Sequence, residues 1–260
     1  STTDAGSRPA AQQAAAIRAR TSATRSAMDG GTEAGEEGVM NLSAGYSAEA
    51  RALWDVATAL NRAAAAVSPR PAALPPLLFF TDPVRTPRPW ETAKRLPAGA
   101  AVVFRAFGAP DAVETGRRLR DTTRAAGVKL LIGQDSDLAL SVQADGLHLP
   151  ERAATRAPAI RAAWPDALLT AAWHGAETPP VEGLDALVLS PVFPAGGASA
   201  DKPALGIQGF TAQVRRAALP VYALGGVDAK TADRLTGSGA CGLAGVAAIR
   251  SAFAEAVVRT

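Results

Sequence analysis

Cysteine, aromatic residues and long apolar runs are scarce in this sequence of 260 residues. The single cysteine, Cys241, excludes an internal disulfide and a cysteine-based zinc site, and we expect it to be a small buried residue. Aromatic residues make up 5%, and no block of Lys and Arg is interleaved with them, which argues against nucleic-acid binding. No apolar run approaches the roughly 18 residues of a membrane span. No signal-peptide core opens the chain, so we expect a cytoplasmic protein without a membrane partner.

The chain also lacks a large excess of either charge, since its net charge is only +3. Hydrophobic residues make up 48% of the chain, which is enough for a sizeable core. Residues 1–45 hold almost no large apolar groups, and we expect them to be disordered because they cannot bury enough surface to offset their ordering entropy. Residues 46–76 predict a helix that begins after Ser47, followed by a proline-rich connector. The apolar stripe of that helix recurs at Leu53, Val56, Leu60 and Val67.

From residue 77 to residue 260, short apolar runs alternate with amphipathic segments. The predicted strands are Leu77–Thr81, Ala101–Arg105, Lys129–Ile132, Gly146–Leu149, Leu168–Ala172, Ala186–Leu189, Val221–Leu224 and Gly242–Gly245. The clearest predicted helices are Ala112–Ala126, Arg152–Trp164, Gln208–Ala217, Lys230–Gly237 and Ala247–Arg259. Eight apolar strands alternating with helices predict an α/β fold, a TIM (β/α)₈ barrel with an N-terminal helical extension. A doubly wound open sheet is the alternative, disfavoured because no Gly-x-Gly-x-x-Gly follows the first strand.

Two glycine turns follow the last two predicted strands. Gly225 and Gly226 end one strand, and Gly245, Val246 and Ala247 end the next. Backbone N–H groups freed by such turns, next to a helix start, can hold a phosphate, and barrels use this place for phosphorylated ligands. The sequence therefore predicts a phosphate site formed by these five residues.

Several segments resemble the thiamine phosphate synthase/TenI family, in order and with matching spacing over roughly residues 77–249. They are Leu130–Leu140, Ala144–Pro150, Asp185–Pro194, Ala223–Val227 and Gly239–Val246. The resemblance implies a barrel enzyme of thiamine biosynthesis whose glycine turns bind the phosphate of a hydroxyethylthiazole phosphate. A phosphorylated thiazole is therefore the small-molecule partner that we expect. The sequence leaves the oligomeric state open, a homo-oligomer included.

Departures from the family pattern concern the diphosphate and metal positions. In the synthases the second strand carries the motif Gln-x-Arg-x-Lys. In this sequence only the arginine of that motif, Arg105, remains. Gln134 stands where the first magnesium-binding Asp is expected, and Ala153 where the second is expected. We therefore expect Arg105 and Gln134 to contact substrate and expect no metal or other cofactor. Mg²⁺ is required only if the protein is a divergent synthase in which Asp135 or Glu151 rebuilds the site.

His174 matches the histidine that, in the TenI branch, acts as acid and base in thiazole tautomerisation. An imidazole with an ordinary pKa of about 6.5 can both donate and accept a proton near neutrality. We therefore predict a metal-free thiazole tautomerase with His174 as the catalytic residue and Lys202 as a further substrate contact. A magnesium-dependent thiamine phosphate synthase and a non-catalytic barrel that binds thiazole or thiamine phosphate are the alternatives.

Overall fold

The structure is a computed structural model that describes residue 42 and residues 45–68, 70–175, 181–196 and 201–254. The expectation of disorder for residues 1–45 therefore falls almost entirely outside the described residues. Strands β1 to β8 are Leu77–Phe80, Ala101–Phe104, Lys129–Gly133, Gly146–Leu149, Leu168–Trp173, Ala186–Leu189, Val221–Ala223 and Gly242–Gly245. Helices α1 to α7 are Ala48–Val67, Pro89–Ala93, Ala112–Ala125, Ser136–Ser141, Ala157–Ala163, Gly206–Arg216 and Ala247–Ala252. Short 3₁₀ helices span Arg70–Ala73, Glu151–Arg156 and Ala232–Leu235.

The eight strands form a closed parallel barrel in chain order. Each strand pairs with the next, and β1 closes the ring on β8 with Leu78 opposite Ala244. Every predicted strand is present, with ends that differ from the predicted ones by at most one residue. The predicted TIM barrel is confirmed, and the open doubly wound sheet is wrong because an open sheet has no pairing between its first and last strands.

Alternate strand residues form two apolar layers, because neighbouring side chains of a strand point to opposite faces. One layer, which includes Leu78, Phe80, Val103 and Tyr222, fills the barrel interior. The other packs between the strands and the surrounding helices. Both faces of the sheet are therefore covered, which explains why the strands read as continuous apolar runs. Cys241 is fully buried, as expected.

Helix α1 covers the barrel beside β8 and α7. Its N-cap Ser47 accepts a hydrogen bond from the Ala50 N–H and donates one to the carbonyl of Ala252, 2.9 Å away. The predicted apolar stripe is buried at Leu53 and Leu60, but Val67 is 86% exposed because it occupies the last turn of the helix. Of the helices in the described ranges, none has the length and hydrophobicity that a bilayer-spanning helix needs.

Two predicted helices are shorter or broken in the structure. Residues 152–164 form a 3₁₀ segment and then α5, because Pro158 lacks an N–H and its ring clashes with the carbonyl four residues earlier. Lys230–Gly237 forms only the 3₁₀ helix Ala232–Leu235, which follows a turn in which the Asp228 carboxylate accepts the N–H groups of Lys230 and Thr231. The segment ends at Gly237, whose positive φ of +76° does not continue a helix. The last helix ends at Ala252, and residues 255–260 lie outside the described residues.

Candidate active site

A cavity of about 450 Å³ opens at the C-terminal ends of β2, β3 and β4. Its lining residues are Arg105, Ala106, Phe107, Gly108, Gly133, Gln134, Asp135, His148, Pro150, Arg152 and Ala172. Active sites of TIM barrels lie at this end of the strands. The structure thus brings together two predicted substrate contacts, Arg105 and Gln134.

Arg105 lies directly after β2 and is held from β1. Its backbone N–H donates to Oγ1 of Thr81 at 2.9 Å, and its Nε donates to the Thr81 carbonyl at 2.8 Å. The guanidinium carbon lies 5.4 Å from the ring centre of Phe80 and 5.3 Å from that of Phe107. Burial lowers the pKa of Arg105 below its usual value, an effect that the nearby Asp82 opposes. One nitrogen, Nη2, is buried without a hydrogen-bond partner among the described residues.

His148, on β4, is buried beside Arg105. Its Nδ1 lies 2.9 Å from Oγ1 of Thr170 on β5, and its ring packs edge-on against Phe80 with centres 4.9 Å apart. Burial, aided by the positive charge of Arg105, lowers the pKa of His148 to about 3. The imidazole is therefore neutral at physiological pH, which suits an orienting role and not that of a proton donor and acceptor near neutrality.

Gln134 joins the ends of β3 and β4 through Arg152. Its backbone φ is +64°, and its Oε1 accepts a hydrogen bond from Arg152 Nη2 at 3.1 Å. The preceding residue is Gly133, where an added Cβ would lie 3.2 Å from Cγ of Arg105. The glycine therefore leaves room for the stem of Arg105 to cross the end of β3.

The magnesium site implied by the resemblance does not fit these residues. Asp135 uses Oδ1 to cap α4 by accepting the Leu138 N–H at 2.9 Å, and Glu151 is paired with His174. Within the ranges that the structure describes, no three His, Cys, Asp or Glu side chains are grouped so that they could hold a metal ion. Mg²⁺ requires several oxygen ligands in tight octahedral geometry, and the guanidinium of Arg152 beside Gln134 repels a cation.

His174 follows β5 and is paired with Glu151, which follows the neighbouring strand β4. His174 Nδ1 lies 2.6 Å from Oε2 of Glu151, and the His174 backbone N–H donates to Oε1 at 3.2 Å. About a third of each side chain is exposed, 36% for His174 and 35% for Glu151. The carboxylate fixes the imidazole through one nitrogen, and Nε2 has no partner in the described part of the chain. The pairing gives His174 the orientation that an acid or base requires.

The glycine turn after β7 is shaped by the loop that follows β6. Gly225 and Gly226 have φ values of +97° and +63°. A Cβ at Gly225 would lie 2.7 Å from Cα of Pro191, and one at Gly226 would lie 2.5 Å from the carbonyl oxygen of Pro194. Both glycines are therefore required by the close approach of this loop, whether or not a ligand binds. Their N–H groups have no acceptor among the described residues, and the predicted phosphate role stays a prediction.

The other predicted contacts lie outside the 450 Å³ cavity. Gly245 ends β8 against the side chain of Ile249, Val246 is half-buried, and Ala247 and Lys202 are exposed. His174 and the glycine turns are not among the cavity's lining residues either. The roles predicted for these residues stay predictions.

Thr170 contributes to the site without having been singled out from the sequence. It is an inward-facing strand residue, a position that is usually structural. The sequence could have predicted the pairing of Glu151 with His174. Each residue comes just after one of two neighbouring parallel strands, and such strands end at the same edge of a sheet.

Residues 86–249 match the profile of the family described as thiamine monophosphate synthase (TMP-TENI). A putative thiamine-phosphate synthase of Geobacter sulfurreducens is 31% identical over 140 residues, which are 53% of this chain and 66% of that protein. A thiamine-phosphate synthase of Bacillus velezensis is 34% identical over 143 residues, 52% of this chain and 62% of that protein. The matched regions thus span slightly less than two thirds of these relatives.

Among solved structures, thiamine phosphate pyrophosphorylase from Pyrococcus furiosus superposes with a TM-score of 0.57 and 25% identity, over 69% of this chain and 92% of that one. The HpcH/HpaI aldolase from Desulfitobacterium hafniense, with a TM-score of 0.50 and 13% identity, shares the fold alone. The family profile covers well over half of the sequence and lies on the barrel that carries the cavity and the His174–Glu151 pair. The chain belongs to the thiamine monophosphate synthase family.

Proposed function

We propose that the protein is a thiamine-biosynthesis enzyme that moves a proton on a phosphorylated thiazole, with His174 as the acid and base. The observation that carries this proposal is the 2.6 Å contact between His174 Nδ1 and Glu151 Oε2 at the C-terminal end of the barrel. A carboxylate that accepts the Nδ1 proton leaves Nε2 to take a proton from a substrate carbon and return it elsewhere. Glu151 is then a positioning residue, because it acts through the imidazole.

The turns at Gly225, Gly226 and Gly245 are the proposed anchor for the substrate phosphate. Two observations support this role. The N–H groups of Gly225 and Gly226 have no acceptor among the described residues, and both turns follow the last two strands of the barrel. An anchor of this kind holds the reacting ring still, which is a large part of what an enzyme contributes to a single proton transfer.

Thiamine phosphate formation is the second candidate, and the names of the relatives favour it over tautomerisation. Arg105 also favours it, since a guanidinium can compensate charge on a departing diphosphate. Against it stand Gln134 and Ala153 in the places of the magnesium-binding acids. This candidate therefore requires that the protein compensate the diphosphate with its own cations.

A three-part assay separates the candidates. Purified protein is incubated with the thiazole phosphate carboxylate tautomer in EDTA, and the aromatic product is quantified by chromatography. Parallel reactions contain aminopyrimidine diphosphate and hydroxyethylthiazole phosphate, with Mg²⁺ or with EDTA. We expect product in the tautomer reaction. Thiamine phosphate in the other reactions without tautomer turnover would overturn the proposal, and ligand binding without any turnover would favour a non-catalytic barrel.

A further inference from the structure

Two arginines from different loops line the 450 Å³ cavity at the ends of β2, β3 and β4, which we call the arginine cavity. We propose that the arginine cavity binds a phosphate-bearing anion without a divalent cation, with Arg152 supplying the positive charge that magnesium would otherwise supply there. This inference does not depend on the proton transfer proposed for His174, because it concerns binding at a different group of residues.

Arg105 supplies the first reason. Its Nε and backbone N–H are used within the protein, but Nη2 is buried and has no partner in the described ranges. A guanidinium nitrogen without an acceptor costs free energy, and the charge of a bound anion would offset part of that cost. The described residues form no ion pair with Arg105 within 4.0 Å, and Asp82 acts on its charge only from beyond that distance.

Arg152 supplies the second reason. Its Nη2 is held by Oε1 of Gln134, so the guanidinium spans from the start of the 3₁₀ helix after β4 to the end of β3. A glutamine oxygen orients the arginine without neutralising it, whereas an aspartate at this position would do both. The remaining N–H groups of a guanidinium fork are well matched to phosphate oxygens.

The rest of the lining offers little negative charge. Among the lining residues in the described part of the chain, Asp135 is the only carboxylate, and one of its oxygens is committed to capping α4. His148 is neutral near pH 7 and shares the cavity wall with Arg105. The net charge of the lining side chains is therefore positive, and the described residues offer no group of ligands that could hold a metal cation there.

Inorganic pyrophosphate is the probe, and its binding to the full chain is measured by isothermal titration calorimetry. We expect binding in EDTA, with no more than a twofold gain when Mg²⁺ replaces EDTA. Arg152→Gln should weaken binding about tenfold or more, the effect of one lost charge-assisted contact. Gln134→Ala should weaken it less, because it frees Arg152 without removing its charge. Arg156→Gln, an exposed arginine in the same 3₁₀ helix but outside the cavity lining, is the matched control.

Three outcomes would overturn the proposal: no binding in EDTA, binding that requires Mg²⁺, or equal affinities for Arg152→Gln and Arg156→Gln. Circular dichroism of each variant checks that the barrel is folded. His174→Asn should bind pyrophosphate like the wild type, so failure of the proposed proton transfer and failure of the arginine cavity give different results.

Discussion

His174 Nδ1 and Glu151 Oε2 lie 2.6 Å apart although 23 positions separate the two residues in the chain. The contact forms because β4 and β5 are adjacent parallel strands, and both residues follow the C-terminal ends of those strands. The second carboxylate oxygen accepts the backbone N–H of His174, so Glu151 fixes both the ring and the start of the loop that carries it.

His174→Asn is expected to lower the rate of thiazole proton transfer by about 100-fold or more, the usual contribution of a general acid–base. Affinity for the thiazole phosphate should change less than about twofold, because the phosphate anchor is untouched. Rates come from single-turnover chromatography and affinities from calorimetry. Equal losses of rate and affinity would contradict the acid–base role.

Glu151→Gln is expected to lower kcat by about tenfold and leave KM nearly unchanged, because the amide keeps only one acceptor oxygen for the two His174 donors and carries no charge to stabilise a protonated imidazole. A kcat that stays unchanged, or a KM that rises as much as kcat falls, would contradict the positioning role of Glu151. Glu182→Gln, an exposed residue outside the site, is the control.

Gly226→Ala is expected to destabilise the protein by about 2 kcal/mol or more, because the new Cβ would lie 2.5 Å from the Pro194 carbonyl oxygen at a φ of +63°. Gly237→Ala is the matched control, since Gly237 also has a positive φ, +76°, but no atom within 4 Å of an added Cβ. It should cost only about 1 kcal/mol of backbone strain. Urea unfolding measures both, and equal losses would show that the loop after β6 does not restrict Gly226.

The low pKa of His148 predicts how the free energy of unfolding depends on pH. The folded pKa is about 3, below the ordinary unfolded value of about 6.5, so between these values the unfolded chain binds one more proton. Stability should therefore fall as the pH falls from 6.5 towards 3, by on the order of 1.4 kcal/mol per pH unit from this group. Free energies of unfolding for the wild type and His148→Gln at pH 4 to 7 test this. Parallel curves for the two proteins would contradict a buried neutral histidine.

Asp145→Asn tests a structural contact at the opposite end of the barrel. Its Oδ2 accepts hydrogen bonds from Arg120 Nη1 and from the Leu130 N–H, both at 2.7 Å, and Arg120 is buried. Loss of the charge should destabilise the protein by about 2 kcal/mol, because the guanidinium is left buried without its counter-charge. Asp166→Asn, which removes an exposed carboxylate, should change urea unfolding by less than about 0.5 kcal/mol.

Asp145 also shows that a residue of a family motif can have a structural role and not a chemical one. The motifs Asp145-Gly146 and Asp185-Ala186 both open strands, and the Asp185 carboxylate repeats the arrangement by accepting from Arg161 at 2.6 Å and from the Leu169 N–H at 2.7 Å. Both aspartates therefore tie a helix to the start of a strand. At these two positions the family motif therefore serves the architecture of the barrel and not chemistry at the strand ends.

The glycine turn after β7 was predicted from the sequence, but its packing against the loop after β6 was not. The sequence predicted a glycine turn at Gly225 and Gly226, and in the structure both residues have a positive φ. The sequence could not show that the loop at Pro191 and Pro194 passes within contact distance, because that loop is about 30 residues earlier in the chain. The predicted helix at 230–237 is wrong in type and length, because the segment forms only the 3₁₀ helix Ala232–Leu235 before the positive φ of Gly237.

The sequence by itself determined a parallel sheet covered by helices, because eight apolar runs of strand length, separated by amphipathic segments, can bury both faces of a sheet only when helices surround it. The pairing of β1 with β8, which closes the sheet into a barrel, was decided by the tertiary structure. The sequence also determined which side chains follow each strand. Only the tertiary structure decided the partners of those side chains: Glu151 for His174, Arg152 for Gln134 and Thr170 for His148. The physical reason is that hydrogen bonds and charge contacts act over a few ångströms, and closure of the barrel sets which strand ends come that close.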